Sequence, residues 1–150
     1  MGRIFDAVHT FLDGEGIKHQ LLEGATALRF GFKTEENQWI CMAEVREAQD
    51  VLLFASILPK HTEEAHRAAM AELLTRINYG LTIGNFEMNY EHGEVRYRTS
   101  LDLEGSEVAP TLIRQLLYAN LSTVSRYIGL VERVAAGEAS PVEALATLRG

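Results

Sequence analysis

Three consecutive segments of this chain alternate apolar and polar residues with a period of two, and this pattern limits the possible folds more than any other feature. The segments are Ala27 to Lys33, Gln38 to Arg46 and Val51 to Leu58, and a polar tetrad joins each to the next. Such alternation is typical of β-strands with one face in a core. Links of four residues are too short for parallel strands. The sequence therefore predicts an antiparallel meander.

The two tetrads also predict the register of the meander. If both are four-residue hairpin loops, the cross-strand pairs are Phe32 with Trp39, Phe30 with Cys41, Leu28 with Ala43, Val45 with Leu52 and Ala43 with Phe54. All the aromatic side chains then lie on one face, which we expect to be the core face. Its predicted members are Leu28, Phe30, Phe32, Trp39, Cys41, Val45, Leu52, Phe54 and Leu58. Cys41 is expected to be a buried and inert thiol.

The opposite face of the same strands is also rich in apolar residues. They are Ile40, Met42, Val51, Leu53, Ala55 and Ile57. A face that meets only water would be more polar, so two interpretations stay open. Either the helix predicted from Thr62 to Tyr79, or a second copy of the chain, covers this face, or the face binds a protein partner.

The rest of the chain reads as four helices, one extended segment and one hairpin. Helical spacing of apolar residues predicts helices from Ile4 to Leu12, from Thr62 to Tyr79 with Thr62 as the N-cap, from Pro110 to just before Gly137, and from Ser140 onward. Ile17 to Gly24 is expected to be extended, with Gly24-Ala25 as a turn. A hairpin centred on His92-Gly93 would place Tyr90 opposite Val95, Met88 opposite Tyr97 and Glu87 opposite Arg98.

The segments around this hairpin carry a family resemblance. Leu73 to Asn78, Gly84 to Met88 and Gly93 to Arg98, followed by a long amphipathic helix, resemble the YbjN family of small bacterial proteins, whose fold is similar to that of type III secretion chaperones. The resemblance spans most of the chain, and it implies a homodimer and no catalytic residues. Together with the patterning it predicts an α+β fold in the order α-β-β-β-α-β-β-α. We expect one antiparallel sheet of five strands, in a single domain over residues 1–150 with a core at about 4–137 and a C-terminal helix at 140–149.

Charge and composition exclude several classes of protein. The formal net charge is −7, and the 14 basic residues are interleaved with acidic ones. A nucleic-acid partner or an anionic membrane surface would need a basic face, so neither is expected. No apolar run approaches the length of a membrane span. With no signal-like segment at the start, the expected location is the cytoplasm.

No sequence motif indicates catalysis, a cofactor or a metal. Nucleophile elbows and phosphate-binding loops are absent from the sequence, and His61 and His66 are five residues apart, which is the wrong spacing for two zinc ligands on one helix face. We therefore expect a non-catalytic, protein-binding or chaperone-like regulatory protein. The alternative is a small-ligand sensor with a pocket between the sheet and the long helix, around Tyr97, Asn120 and Tyr127.

Overall fold

A computed structural model describes residues 2–22, 24 and 26–149; residues 23 and 25, which belong to the predicted extended segment and turn, lie outside the described residues. The strands are β1 (Gln20–Leu21), β2 (Ala27–Lys33), β3 (Gln38–Arg46), β4 (Val51–Ile57), β5 (Asn85–Met88) and β6 (Val95–Asp102). The helices are α1 (Arg3–Gly14), α2 (Arg67–Tyr79), α3 (Pro110–Ala135) and α4 (Pro141–Ala146), with short 3-10 turns at Glu47–Gln49, Glu64–His66 and Thr147–Arg149.

All six strands form one antiparallel sheet in the order β1-β2-β3-β4-β6-β5. Five strands were expected, and the additional one is the two-residue β1, which pairs with β2 from within the segment predicted to be extended. The predicted pairings of β2 with β3 and of β3 with β4 are confirmed at every position named above. Four-residue loops and period-two patterning were therefore sufficient to predict the centre of the sheet.

The predicted register of the β5–β6 hairpin is wrong by two residues. Phe86, not Met88, lies opposite Tyr97, and Met88 lies opposite Val95. The chain turns earlier than expected because the side-chain Oδ1 of Asn89 accepts a hydrogen bond from the backbone of Glu91, 2.9 Å away, which begins the turn. The shift is even, so each side chain keeps its predicted face.

The start of α2 also differs from the prediction. The helix begins at Arg67, and Thr62 does not cap it; the Thr62 hydroxyl is buried and has no hydrogen-bond partner among the described residues. The hairpin loop fixes Thr62 instead, because its backbone N–H donates to the carbonyl of Gly93 at 2.8 Å. Gly93 adopts a φ of +81°, and a Cβ there would lie 2.0 Å from the Thr62 carbonyl oxygen. Only glycine fits at this contact.

The helices pack on one side of the sheet. α3 lies against β4 and β6, α1 against α3 and β3, and α2 against β5, α3 and α4. Their buried side chains form one continuous cluster with the predicted core face, in which Phe32 is only partly buried. Ser140 and Glu143 form a capping box at the start of α4. No described helix combines the length and the apolar composition that a bilayer crossing requires.

The expectation that the Thr62–Tyr79 helix covers the second apolar face is wrong. The buried residues of α2, namely Met70, Leu73, Leu74 and Ile77, belong to the same cluster as the core face. The reason is that α2 follows β4 and precedes β5, and it packs beside α3 over the β5 end of the sheet. Among the described residues, no helix packs against the other side of the sheet.

Candidate protein-binding face

The side of the sheet away from the helices, called here the outer face, carries all six apolar residues predicted as a partner surface. β3 contributes Ile40 and Met42, and β4 contributes Val51, Leu53, Ala55 and Ile57. The strand register places Met42 beside Ala55 and Ile40 beside Ile57. The structure thus brings the predicted residues together as one apolar band along the two central strands.

Exposure divides this band into two parts. Leu53 and Ala55 are only 4% and 3% exposed, although no helix lies above them. Their cross-strand neighbours on the outer face explain this, because Leu53 lies between Glu44 and Ser100, and Ala55 lies between Met42 and Arg98. The other four residues, Ile40, Met42, Val51 and Ile57, are partly exposed. Their surface is available to a partner without any rearrangement of the sheet.

Charged side chains border the apolar band. Five basic residues (Arg29, Lys33, Arg46, Arg96 and Arg98) and three acidic residues (Glu44, Glu87 and Asp102) occupy outer-face positions, which gives this face a formal charge of +2. The whole chain carries −7. Two of these acids pair locally: Glu44 contacts Arg46 at 2.9 Å, while Glu87 contacts both Arg96 and Arg98, the latter at 3.1 Å. The outer face is therefore a positive surface on an acidic protein.

A hollow of about 520 Å³ lies at one end of the band, beside Gly31 of β2. The outer face contributes Gly31, Lys33, Gln38, Ile40 and Ile57 to its lining; the core-face residues Phe32, Trp39 and Leu58, together with Pro59 and His61 after β4, complete it. A Cβ placed on Gly31 would meet nothing within 4 Å, so the space beside this residue is open. A second, smaller hollow of about 230 Å³ lies next to the first, and both are lined by Gly31 and Ile40; Arg29 lines only the smaller one. The hollow was not predicted from the sequence; its signal was a glycine inside a strand pattern, which marks a bulge or a close approach.

The residues of the alternative ligand pocket meet in the core. Asn120 of α3 is 1% exposed, and its side-chain amide donates to the backbone carbonyls of Phe54 and Tyr97 at 3.0 and 3.2 Å. Tyr97 is fully buried, and its hydroxyl donates to the carbonyl of Ile83. Burial raises the pKa of this phenol. Tyr127 is partly buried and stacks edge to face on Phe86.

Asn120 also organises a polar chain that the sequence did not reveal. Its Oδ1 accepts from the Ser56 hydroxyl at 2.6 Å, and that hydroxyl accepts from the indole N–H of Trp39 at 3.0 Å. Cys41 lies 3.5 Å from the same hydroxyl, is 1% exposed, and has its pKa raised to about 11 by burial. The thiol is buried, as expected. Both the amide and the carbonyl oxygen of the buried Asn120 therefore have hydrogen-bond partners.

Comparison with known proteins identifies the family. The model of one bacterial family, YbjN, described as "putative bacterial sensory transduction regulator", matches residues 5–133. The chain belongs to the YbjN family. No curated protein matches the sequence.

Two solved structures resemble this YbjN-family chain. "Crystal structure of YbjN, a putative transcription regulator from E. coli" matches with a TM-score of 0.66 and 14% identity, over 89% of this chain and 92% of that one. A chain of the HopA1–SchA chaperone–effector complex matches with a TM-score of 0.50 and 17% identity, over 83% of this chain and 92% of that one. At such identities the likeness concerns the fold, and it agrees with the predicted chaperone-like architecture.

Proposed function

We propose that this YbjN-family chain is a non-catalytic, chaperone-like regulatory protein that binds a protein partner on the outer face of its sheet. The observation that carries the proposal is the uncovered apolar band with its positive border. A partly exposed apolar band with a charged rim is the usual anatomy of an interaction site. A chain of the HopA1–SchA chaperone–effector complex has a similar fold, and its place in a complex between two proteins supports a partner of this class.

Charge decides which partner fits best. A face of +2 attracts a segment whose apolar anchors are flanked by carboxylates. Two copies of the chain that met through this face would bring together two positive surfaces, which is unfavourable. We therefore assign the outer face to an acidic, amphipathic segment of another protein. The homodimer implied by the family resemblance and the cytoplasmic location stay predictions.

The hollow at Gly31 gives this interface an anchor point. A partner side chain that enters this hollow would contact Ile40 and Ile57, and a few such anchors carry most of the energy of an interface. Because a Cβ at Gly31 meets nothing within 4 Å, Gly31→Leu should occupy part of the hollow and leave the fold intact. The variant should weaken partner binding by about tenfold or more, which corresponds to the loss of one anchor.

Site-specific photo-crosslinking in the native cell tests the assignment. A benzophenone amino acid replaces Ile57 on the outer face or, as a matched control, Val142, which is 57% exposed on the helix side of the molecule. We expect an adduct with another protein from position 57, absent from position 142 and reduced by Gly31→Leu. Adducts with a second copy of the chain would instead make this face a dimer interface. Equal adducts from both positions, or none from position 57, would overturn the proposal.

The same hollow favours a second candidate function, a small-ligand sensor. Its volume of about 520 Å³ lies within the usual range of ligand sites. This location differs from the space around Tyr97 and Asn120, whose polar groups already bind protein atoms. A thermal-shift screen of metabolites on the wild type and on Gly31→Leu discriminates the two functions. A ligand that stabilises only the wild type would support the sensor.

A further inference from the structure

Three side chains with metal-binding atoms come together at the end of α1, and one of them, His19, also lines the smaller hollow beside Ile40. His9 and Asp13 lie one helical turn apart on α1, and His19 follows the turn that reverses the chain towards β1. Their ligand atoms all lie within 4.8 Å of one another. The sequence analysis expected no metal site, since only the folded turn brings His19 back to the helix.

The separations suit a shared cation better than direct hydrogen bonds. His9 Nδ1 lies 3.5 Å from Asp13 Oδ2, and His19 Nε2 lies 3.8 Å from Asp13 Oδ1. Both distances exceed those of good hydrogen bonds to nitrogen. Two ligands on a tetrahedral ion with bonds of about 2.0–2.1 Å are roughly 3.3 Å apart. Each histidine nitrogen therefore lies close to that distance from one of the two Asp13 oxygens, and small side-chain rotations would bring all three groups to a common ion.

His19 is oriented as a metal ligand should be. Its side chain is only 7% exposed, and its Nδ1 lies 2.8 Å from the backbone carbonyl oxygen of Ile17. A carbonyl oxygen can only accept, so Nδ1 carries the proton and donates it. In the neutral imidazole the lone pair is then on Nε2, which faces Asp13. A metal-bound histidine usually has this arrangement, in which a backbone carbonyl holds one ring nitrogen and the other nitrogen can bind the ion.

We propose that His9, Asp13 and His19 bind one divalent transition-metal ion of the zinc type. Two imidazoles and one carboxylate are the ligands that such ions select, whereas Mg²⁺ and Ca²⁺ prefer oxygen alone. Three protein ligands leave a coordination position open for water or for a ligand from another molecule. The ion would join the end of α1 to the segment that enters β1.

Zinc binding by the untagged full-length protein tests the site. Titration of Zn²⁺ against a chromophoric chelator, together with native mass spectrometry, should give one ion per chain. The variants Asp13→Asn and His19→Gln should each weaken binding by at least about tenfold, since even the loss of a group that only orients a ligand costs about 10–100-fold. Asp13 is 62% exposed, so its variant should fold even if the buried His19 does not tolerate replacement. Cobalt(II) should show visible bands with the wild type that Asp13→Asn removes.

A second histidine pair provides the matched control. The rings of His61 and His92 lie 5.6 Å apart, and His61 Nε2 lies 4.0 Å from Glu94. His92→Gln should leave zinc affinity unchanged, and Mg²⁺ should not compete. An absence of stoichiometric binding would overturn the proposal. So would binding that is lost in His92→Gln but retained in Asp13→Asn.

Discussion

The core face and the outer face of this sheet are similar in sequence but very different in the folded molecule. On the core face, apolar side chains join those of the helices in one cluster, and the polar residues Ser56, Thr99 and Asn120 are fully buried and hydrogen-bonded. On the outer face, apolar residues stay partly exposed and charged residues surround them. Apolar alternation alone therefore does not tell which face is the core. The charges do, because unpaired charges are not buried.

Adjacent leucines on β4 give the largest expected contrast between the faces. Leu52 points into the core and is 0% exposed, whereas Leu53 points to the outer face and is 4% exposed. Leu52→Ala should lower the free energy of unfolding by about 3–5 kcal/mol, because the packed core cannot fill the cavity. Leu53→Ala should cost only about 1–2 kcal/mol, since water and flexible neighbours can fill the space. Urea unfolding measures both, and equal losses would mean that the outer face is as tightly packed as the core.

The reactivity of thiols at the adjacent positions 41 and 42 compares the two faces chemically. The pKa of Cys41 on the core face is raised to about 11 by burial, whereas a cysteine at the partly exposed position 42 should have a pKa of about 8.5. At pH 7.5 the Cys41 thiolate is therefore roughly 300-fold less abundant. We expect Cys41 to react with iodoacetamide at least that much more slowly than Met42→Cys in a Cys41→Ala background. The Cys41 rate should rise about tenfold per pH unit up to pH 11. Similar rates at pH 7.5 would contradict the burial of Cys41.

The sequence predicted regular pairing well and failed where loops decide the geometry. Short loops and period-two patterning were enough for the β2–β3–β4 register. The β5–β6 register depends on the Asn89 side chain, and the start of α2 depends on the contact between Thr62 and Gly93. Neither contact belongs to a repeating pattern of apolar residues, so periodicity in the sequence could not predict it. Alternation was enough to predict the apolar members of the outer face. The hollow at Gly31 could not be predicted in this way, because a pattern does not show whether neighbouring side chains fill the space beside a glycine.

The helix order and the histidine cluster show the same limit. Patterning identified α2 as amphipathic, but it could not say which side of the sheet its apolar stripe would meet. His9 and Asp13 have the i, i+4 spacing of helical ligands, so two of the three residues of the candidate metal site were visible in the sequence. His19 enters only because Gly16, with a φ of +72°, turns the chain back.

The buried polar chain gives a smaller contrast than the leucines. Asn120→Leu keeps the branched shape and the number of side-chain heavy atoms but removes the acceptor of the Ser56 hydroxyl and the donor to Phe54, so about 2 kcal/mol of stability should be lost. The double variant with Ser56→Ala should cost less than the sum of the single variants, because both members of one hydrogen bond are then absent. Urea unfolding of the four proteins gives the coupling energy. Strict additivity would show that the bond contributes nothing.

An outer-face ion pair should give the smallest stability effect and the most direct test of function. Glu87 contacts Arg96 and Arg98 and remains partly exposed, so Glu87→Gln should cost less than about 1 kcal/mol, and less still in high salt. Glu72→Gln, which removes an exposed ion pair with Arg76 on α2, is the matched control for stability.

The effects of Glu87→Gln and Glu72→Gln on partner binding should differ. Glu87→Gln raises the charge of the outer face, so an acidic partner identified by crosslinking should associate faster at low salt, whereas Glu72→Gln should leave the rate unchanged. A slower association of Glu87→Gln would mean that the positive border does not attract the partner. In the expected result, Glu87 slightly stabilises the fold but slows binding, which is what we predict for a residue on an interaction surface.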